Sequence, residues 1–389
     1  MLRNRREHDQ VVQFRLYPIG EQAKIMDDTI ATCRHLYNDS LGERSVDWDV
    51  GFYEQKQLLT MRKQDNKYYK QVHSQVLQDV LLRLDKSYQA FFKKIMRYPK
   101  FKRREKYNSF TYPQHGGFRI RDNKLVLSCI GTIKLKMHRI PIGMLKRCTI
   151  IRDVDQWYAC ITTDDGVEIE QRPIQNSVGI DRGIENLMAL STGEMVENPR
   201  YQKRSADMIT KLQRTLSRKE KGSKNREKAR IQLAKAWRKV RNQRLDYCHK
   251  ESTKLVARFD TIAFEDLKIK NMVRNHRLAE AIMDATWGKL RLYTAYKVGR
   301  RGGQTIVVNP NGTSQKCSGC GKDVPKDLSM RTHECSYCGL VLHRDTNSAK
   351  LILKLGLEQA QIAEKQPLLV KRISKFASRK QEAHVLRHG

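Results

Sequence analysis

The chain has 389 residues, is 39% hydrophobic and carries 76 Lys+Arg against 42 Asp+Glu, a formal net charge of +34. Length and apolar content exclude a disordered chain and allow several domains with cores of their own. The charge excess attracts polyanions, so nucleic acid is the expected partner; with no apolar run near 18 residues and a polar, charged start, no membrane span or leader is expected, and a soluble cytoplasmic protein is.

In chain order, "VVQFRLYP" (11–18) alternates like a strand and ends at a proline. A helix is predicted from Glu21, with Ala23, Met26, Ile30 and Cys33 on one face. A second runs through "SQVLQDVLLRLDKSYQAFFKKI", where Val76, Val80, Leu84, Tyr88 and Phe91 keep helical spacing. The next stretch interleaves bases with rings: Lys93, Lys94, Arg97, Lys100, Lys102, Arg103, Arg104 and Lys106 among Phe101, Tyr107, Phe110 and Tyr112. Cations hold phosphates and rings stack on bases, so this segment is a candidate nucleic-acid surface. The bland alternative is a solvated basic linker whose rings belong to the core.

Residues 118 to 164 change texture. "FRI", "KLVLS", "TIKLKMH", "CTIIRD" and "WYACITT" alternate with period two between short polar turns, which predicts an antiparallel sheet or small barrel. The first strand can join it, making residues 20–110 a helical insertion. "NSVGIDRGIENLMALSTGE" (176–194) predicts a strand, a glycine turn and a second strand. Residues 205–258 are helical and charged, with 15 Lys/Arg and three acids between Lys211 and Lys250, bent into a hairpin at "KGSK" (221–224). Such a one-sided excess suits a polyanion, with Arg218, Lys219, Lys221, Lys224 and Arg226 as candidate contacts. "DTIAFEDLKI" is a strand ending in acids. A single helix is expected over "LAEAIMDATWGKLRLYTAYKVGRRGG", stopped by Gly302-Gly303, then the strand "QTIVVNP". "DTNSAKLILKLG" is expected to be a helix stopped at Gly356, followed by a basic, mobile tail.

Three acids occupy suggestive places. Asp181 ends "SVGI", Glu265 ends "TIAF", and Asp345 sits in the first turn of the last helix. Adjacent parallel strands would bring the first two together, and the helix packed across them would supply the third. Hard divalent cations take carboxylate oxygens, and two Mg²⁺ ions roughly 4 Å apart stabilise both the attacking and the leaving oxygen of a phosphodiester. That is the chemistry of an RNase H-like nuclease. Taken singly, each acid has an ordinary reading: a turn residue, a solvated strand end, a helix N-cap.

Of nine cysteines, Cys33, Cys129, Cys148, Cys160 and Cys248 are scattered and are expected to be buried free thiols. The others form Cys317-x2-Cys320-x14-Cys335-x2-Cys338, close to zinc-ribbon spacing. Ser318-Gly319 and Gly339 suit the turns of two knuckles. Four thiolates close a tetrahedron and leave no open position, so this Zn²⁺ is expected to be structural, ordering its loop with about 10–16 kcal/mol of binding energy. His333 is the alternative ligand. An odd cysteine count with no leader argues against disulfides.

With those motifs in hand, the sequence resembles the TnpB family, the RNA-guided nucleases of bacterial and archaeal insertion sequences, often labelled transposases. "QFRLYP" and "CRHLYN" resemble its opening, "FKRREKYNSFTYPQ" its pre-barrel segment, and "LQRTLSRKEKGSKNREKAR" its basic helices. "GIDRGIENLMALSTG", "AFEDLKIKNM" and "HRDTNSAKLIL" resemble its three RuvC motifs, and "TSQKCSGCG" its zinc motif. The resemblance implies a multidomain α/β plus β-barrel protein. Residues 1–18 and 110–172 would form a wedge-like barrel (WED), and 19–109 a helical recognition (REC) insertion. Residues 173–309 and 341–357 would form a RuvC nuclease, 310–340 a zinc-bearing insertion that binds target nucleic acid, and 358–389 the tail. It implies catalysis by Asp181, Glu265 and Asp345 with two Mg²⁺, one structural Zn²⁺, a guide RNA and a double-stranded DNA target beside a short motif read by the protein. It further implies a monomer or weak dimer in a prokaryotic cytoplasm, associated with the nucleoid. His343 stands where the family often has an acid, and Arg182 where it often has an apolar residue.

Other functions are a non-cleaving RNA-guided regulator and a transposase or recombination accessory protein. A regulator would be free to lose its acids, and all three are present. DDE transposases place their glutamate last and on a helix, whereas the order here is Asp, Glu, Asp. A Tyr/HUH transposase needs a His-x-His pair, and none of the 11 histidines has that spacing.

Overall fold

The computed structural model describes residues 9–327 and 330–365. The expectations for residues 1–8 and for the tail from 366 onward lie outside the described residues. The chain divides after Glu168 into two compact units, each taken by itself.

The first unit begins with β1 (Asp9–Tyr17). Four helices follow: α1 (Gly20–Val46), α2 (Phe52–Asp65), α3 (Lys67–Lys70) and α4 (Ser74–Phe92). Then come β2 (Ser109–Tyr112), β3 (Phe118–Arg121), β4 (Lys124–Leu127), β5 (Gly131–Lys136), β6 (Met144–Asp153) and β7 (Gln156–Asp164). The strands make one antiparallel sheet in the order β2-β6-β7-β1-β5-β4-β3. β1 lies at its centre because Val12, Phe14 and Leu16 alternate into the core. Met26, Ile30 and Cys33 of the expected α1 stripe and Val76, Val80, Leu84 and Tyr88 of the α4 stripe join the strand residues in one apolar cluster, whereas Ala23 and Phe91 are only half-buried. The expected barrel is a correction. The sheet is open, with β2 and β3 as edges that pair with no further strand among the described residues. The cysteines are a second correction: Cys33, Cys148 and Cys248 are buried, but Cys129 is exposed, held in a left-handed turn at φ 68°.

The second unit carries β8 (Ser177–Asp181), β9 (Asn186–Leu190) and β10 (Met195–Glu197). Next come α5 (Tyr201–Arg204), α6 (Ala206–Ser217), α7 (Lys224–Arg258) and β11 (Thr261–Glu265). The chain continues through α8 (Ile269–Met272), α9 (His276–Ala285), α10 (Trp287–Gly299) and β12 (Gln304–Val308), and ends in β13 (Thr332–Glu334), β14 (Val341–His343) and α11 (Arg344–Lys365). Five strands form a mixed sheet ordered β10-β9-β8-β11-β12. The first three are antiparallel; β8, β11 and β12 run parallel. Ile180, Ile262 and Phe264 pack with Leu255, Trp287 and Leu290 of α7 and α10 on one face. On the other, Ala263, Ile306 and Val308 meet Ile352 and Leu355 of α11.

α6 and α7 form the hairpin expected at "KGSK", with Ile209, Ala236 and Val240 as its own small core. Ser223 caps α7, its hydroxyl oxygen accepting the Arg226 amide at 3.1 Å. Two helix expectations are corrected. The helix expected from 278 to a stop at Gly302-Gly303 is two, broken at Thr286, whose φ is +50°, and the second ends at Gly299. The last helix does not stop at Gly356 but continues to Lys365. Gly356 is there for close approach: a Cβ would lie 2.9 Å from the Cβ of Ala263.

Candidate functional site

β8 and β11 pair in parallel with Ala263 opposite Gly179 and Phe264 opposite Ile180. The next position in that register puts Asp181 beside Glu265, each the last residue of its strand. Side chains alternate across a sheet. Val178, Ile180, Ile262 and Phe264 take the α7/α10 face, so Asp181 and Glu265 share the opposite face with Gly179 and Ala263. That is the face α11 covers, and Asp345 lies in its first turn. The helix sits low because Gly179 has no side chain: a Cβ there would lie 2.1 Å from the Ala349 carbonyl oxygen. Three acids drawn from distant stretches thus meet at one sheet edge.

Glu265 is buried, while Asp181 and Asp345 are half-buried at the sheet edge. Burial lifts the Asp181 carboxyl from its ordinary 3.8 to about 7; the charges of Glu265 and Asp345 push the same way, while Arg182 and Arg344 oppose them. Burial also raises Glu265, countered by the Thr313 hydroxyl bond and by Arg182. The trio is looser than a chelating cage. Among the described residues, the only group of three or more ligand-type side chains with all its donor atoms within 4.8 Å of one another is the cysteine quartet. Unneutralised carboxylates repel, which keeps the acids apart.

Arg182 is buried behind them. It donates to the backbone carbonyls of Glu265 at 2.5 Å and Trp287 at 3.4 Å, and lies over the Phe264 ring at 5.5 Å. Burial drops its pKa to about 10. His343 accepts the Asp345 amide on Nδ1 at 3.2 Å, which requires the tautomer protonated on Nε2. Both departures from the family pattern therefore brace the strand end or helix start that bears an acid.

The cysteine quartet is a closed cage. Sulfur separations of 3.6 Å, Cys317 to Cys338 and Cys320 to Cys335, are far too long for a disulfide and near the roughly 3.8 Å edge of a tetrahedron with about 2.3 Å zinc–thiolate bonds. Each knuckle repeats one pattern: Gly321 N–H donates to the Cys317 carbonyl and Gly339 N–H to that of Cys335, both at 2.9 Å. Ser318 and Gly319 lie in the first turn as expected, and each knuckle closes on a glycine in the left-handed region, Gly321 (φ 76°) and Gly339 (φ 69°). Although burial raises it, the Cys335 thiol is held at about 7 by backbone N–H groups of Tyr337 and Cys338. His333 stands outside the quartet, fully buried, with no hydrogen-bond partner on either ring nitrogen.

The candidate nucleic-acid residues separate into two kinds. Lys93, Lys94, Arg97, Arg103 and Arg104 are exposed, as are Arg218, Lys219, Lys221 and Lys224 at the turn of the α6–α7 hairpin. Others are structural. Arg226 donates to the carbonyls of Leu216 and Lys219 and stitches that turn shut. Lys102 is half-buried, its ammonium 5.4 Å from the Tyr37 ring centroid. Tyr112 is a correction: it is 1% exposed and its hydroxyl donates to the Ser128 carbonyl at 2.7 Å, so it offers no face to a base. Tyr107 and Phe110 are buried too, leaving Phe101 as the exposed ring of that segment. The interleaving of bases and rings carried the signal, but all four residues of β2 are inside.

Sequence reasoning missed two residues. Thr313 donates its hydroxyl to the Glu265 carboxylate, and Asn347 bonds the first cysteine knuckle through Ser318 N–H (2.9 Å) and the Lys316 carbonyl (2.8 Å). Their signal was adjacency alone: "TSQKC" before the first cysteine and "DTN" after the last acid.

Residues 160–276 match the OrfB_IS605 family, described as "Probable transposase"; residues 287–352 match the Cas12f1-like TNB domain; residues 9–50 match the OrfB_IS605 helix-turn-helix domain. A Streptomyces pristinaespiralis protein named "Putative RNA-guided DNA endonuclease" is 34% identical over 89% of each chain. Escherichia coli K12 InsQ, with the same designation, is 30% identical over 89% of this chain and 92% of its own. Among solved structures, the mini-RNA-guided endonuclease CRISPR-Cas_phi3 aligns over 89% of this chain and 92% of its own, at 10% identity and a TM-score of 0.49.

Proposed function

The chain belongs to the TnpB family of RNA-guided DNA endonucleases, and we propose that it cuts DNA with Asp181, Glu265 and Asp345 in a RuvC-type nuclease domain. The observation that carries this reading is the register of β8 and β11, which end side by side on carboxylates facing α11. The strand order supports it further: an antiparallel β meander, then two parallel strands on the other side of β8, then a helix laid across them.

An all-oxygen donor set suits a hard divalent cation, and the burial and neighbouring acids that lift Asp181 are what such a cation offsets. Mg²⁺ held by the three acids would supply an activated water and neutralise the leaving oxygen of the phosphodiester. The chain's own residues prepare that centre. Arg182 fixes the end of β11 by its carbonyl, Thr313 orients the Glu265 carboxylate, and α11 brings Asp345 over the sheet edge.

The quartet fits Zn²⁺ in a structural role, ordering residues 310–340 as a target-binding insertion. The remaining assignments follow the family: residues 1–18 and 110–172 as the wedge segment, here an open sheet, 19–109 as recognition helices, and 173–309 with 341–357 as nuclease. The exposed bases grip phosphates without reading sequence, which suits a protein that leaves target selection to a guide RNA.

The test is purification from the native locus, sequencing of bound RNA, and cleavage of a plasmid complementary to it. Asp181→Ala is expected to lower cleavage on the order of 10³-fold or more, with RNA retention unchanged. Loss of RNA together with cleavage, or cleavage at the wild-type rate, would reject the acid assignment.

A further inference from the structure

The insertion that carries the cysteines touches the acid cluster at two points. The first is Thr313, just before Cys317. It is 2% exposed, and its hydroxyl lies in hydrogen-bond range of the Glu265 carboxylate and, at 2.9 Å, of the Pro310 carbonyl. One hydroxyl has one proton, and an ionised carboxylate is the stronger acceptor, so the proton goes to Glu265. The second is Asn347, two residues beyond Asp345 and fully buried. Its side-chain carbonyl accepts the Ser318 amide inside the first knuckle, and its side-chain amide donates to the Lys316 carbonyl. The far end of the insertion adds a backbone tie, Arg344 N–H to the Arg331 carbonyl at 2.7 Å, where β14 runs directly into α11.

These contacts are not needed to hold the cage. The quartet closes on its own four sulfurs and its own knuckle hydrogen bonds. Nor are they needed for the sheet, whose β11 is paired on both sides. What they determine is the rotamer of one acid and the seat of the helix turn that bears another.

We propose that the cysteine insertion is a positioning clamp for the acid cluster, with Thr313 orienting the Glu265 carboxylate and Asn347 seating the first turn of α11. The proposal rests on the reading of Asp181, Glu265 and Asp345 as the cutting centre. Thr313 and Asn347 are positioning residues; neither is given a place on the substrate.

The experiment uses the full chain with its bound RNA. Thr313→Val keeps shape and removes the donor; Thr313→Ser restores it. For Thr313→Val the expected result is a single-turnover cleavage rate about tenfold or more below wild type, with target affinity and zinc content unchanged. Thr313→Ser is expected to recover to within about threefold. A second readout is independent of cleavage: the rise in melting temperature caused by Mg²⁺ alone. It is expected to shrink in Thr313→Val, and to be the same in Glu265→Gln and in Glu265→Gln/Thr313→Val, because the hydroxyl acts through that carboxylate. Wild-type cleavage by Thr313→Val, no recovery with serine, or an additive double variant would each overturn the clamp. Should Thr313→Val fold poorly, Asn347→Ser is the second probe, with reduced cleavage at full zinc content expected and unaltered cleavage contradicting the proposal. Asp181→Ala separates the two levels: if it still cleaves, the cutting-centre reading falls; if it is dead while Thr313→Val is normal, only the clamp falls.

Discussion

The second unit holds two clusters of metal-loving side chains, and they are built in opposite ways. The cysteine quartet comes from 22 consecutive residues, with all four donor atoms within 4.8 Å of one another. The acid trio spans Asp181 to Asp345, has no local turn to make it, and stays looser. The quartet is folded by its own knuckles and by whatever metal it binds. The trio exists only when the sheet order, the parallel register and the helix packing are all in place. Soft ligands in a local loop make a support; hard ligands gathered by topology make a centre whose geometry other residues can adjust.

The largest effect that would sharpen this contrast is loss of the quartet's metal. Cys335→Ser is expected to take zinc from one per chain to near none by metal analysis, and to open residues 313–327 and 330–343 to proteolysis. The central sheet should survive, because none of its strands depends on the cage. If β8, β11 and β12 lost protection from hydrogen exchange along with the loop, the two sites would not be separately built.

A smaller effect is expected where the trio depends on packing. Gly179→Ala drives a methyl into the Ala349 carbonyl and should lower the melting temperature by about 5–10 °C, as overpacking costs on the order of 1–3 kcal/mol. Gly356→Ala crowds the Ala263 Cβ at 2.9 Å and otherwise meets Ile306 and Val308 at an ordinary 3.7 Å, and alanine's higher helix propensity offsets about 1 kcal/mol of that strain. Equal melting temperatures for the two variants would mean that α11 is free to lift off β8.

The smallest effect is electrostatic. The Asp181 carboxyl is raised to about 7 in the metal-free fold, against an ordinary 3.8. A raised carboxyl favours the folded state while protonated, so its contribution is full below its unfolded value and is lost as pH rises through about 7. A divalent cation reverses this by stabilising the ionised form. Stabilisation by Mg²⁺ should therefore be greater near about pH 8 than near about pH 6, read as a melting-temperature difference. A pH-independent Mg²⁺ effect would place the ion away from Asp181.

How much of this was legible in the sequence follows from the same contrast. The quartet could be read from spacing, because a knuckle is a local object; only the left-handed closing glycine of the first knuckle, Gly321, was not read, since φ is not written in composition. The acids could be listed as strand-end and helix-start residues and their meeting expected from adjacent parallel strands, but the register that puts Asp181 beside Glu265 is seen only in the pairing of β8 with β11. Gly356 looked like a stop because glycine usually ends helices; its true partner, Ala263, is 93 residues away in sequence. Tyr112 sat in a basic stretch that favoured an exposed ring, yet β2 is buried on both sides. Thr313 was unreadable because a hydroxyl's partner depends on tertiary packing.

One quiet feature of the first unit has a bearing on self-association. Leaving the sheet open exposes β3 as an edge, and an edge strand is a template for pairing with another copy. This one is only four residues long, and Arg119 and Arg121 project from it into solvent. Two copies meeting edge to edge would bring like charges together along a very short ladder. The same kind of cation that suits the chain to polyanions thus disfavours pairing of β3 with its own copy.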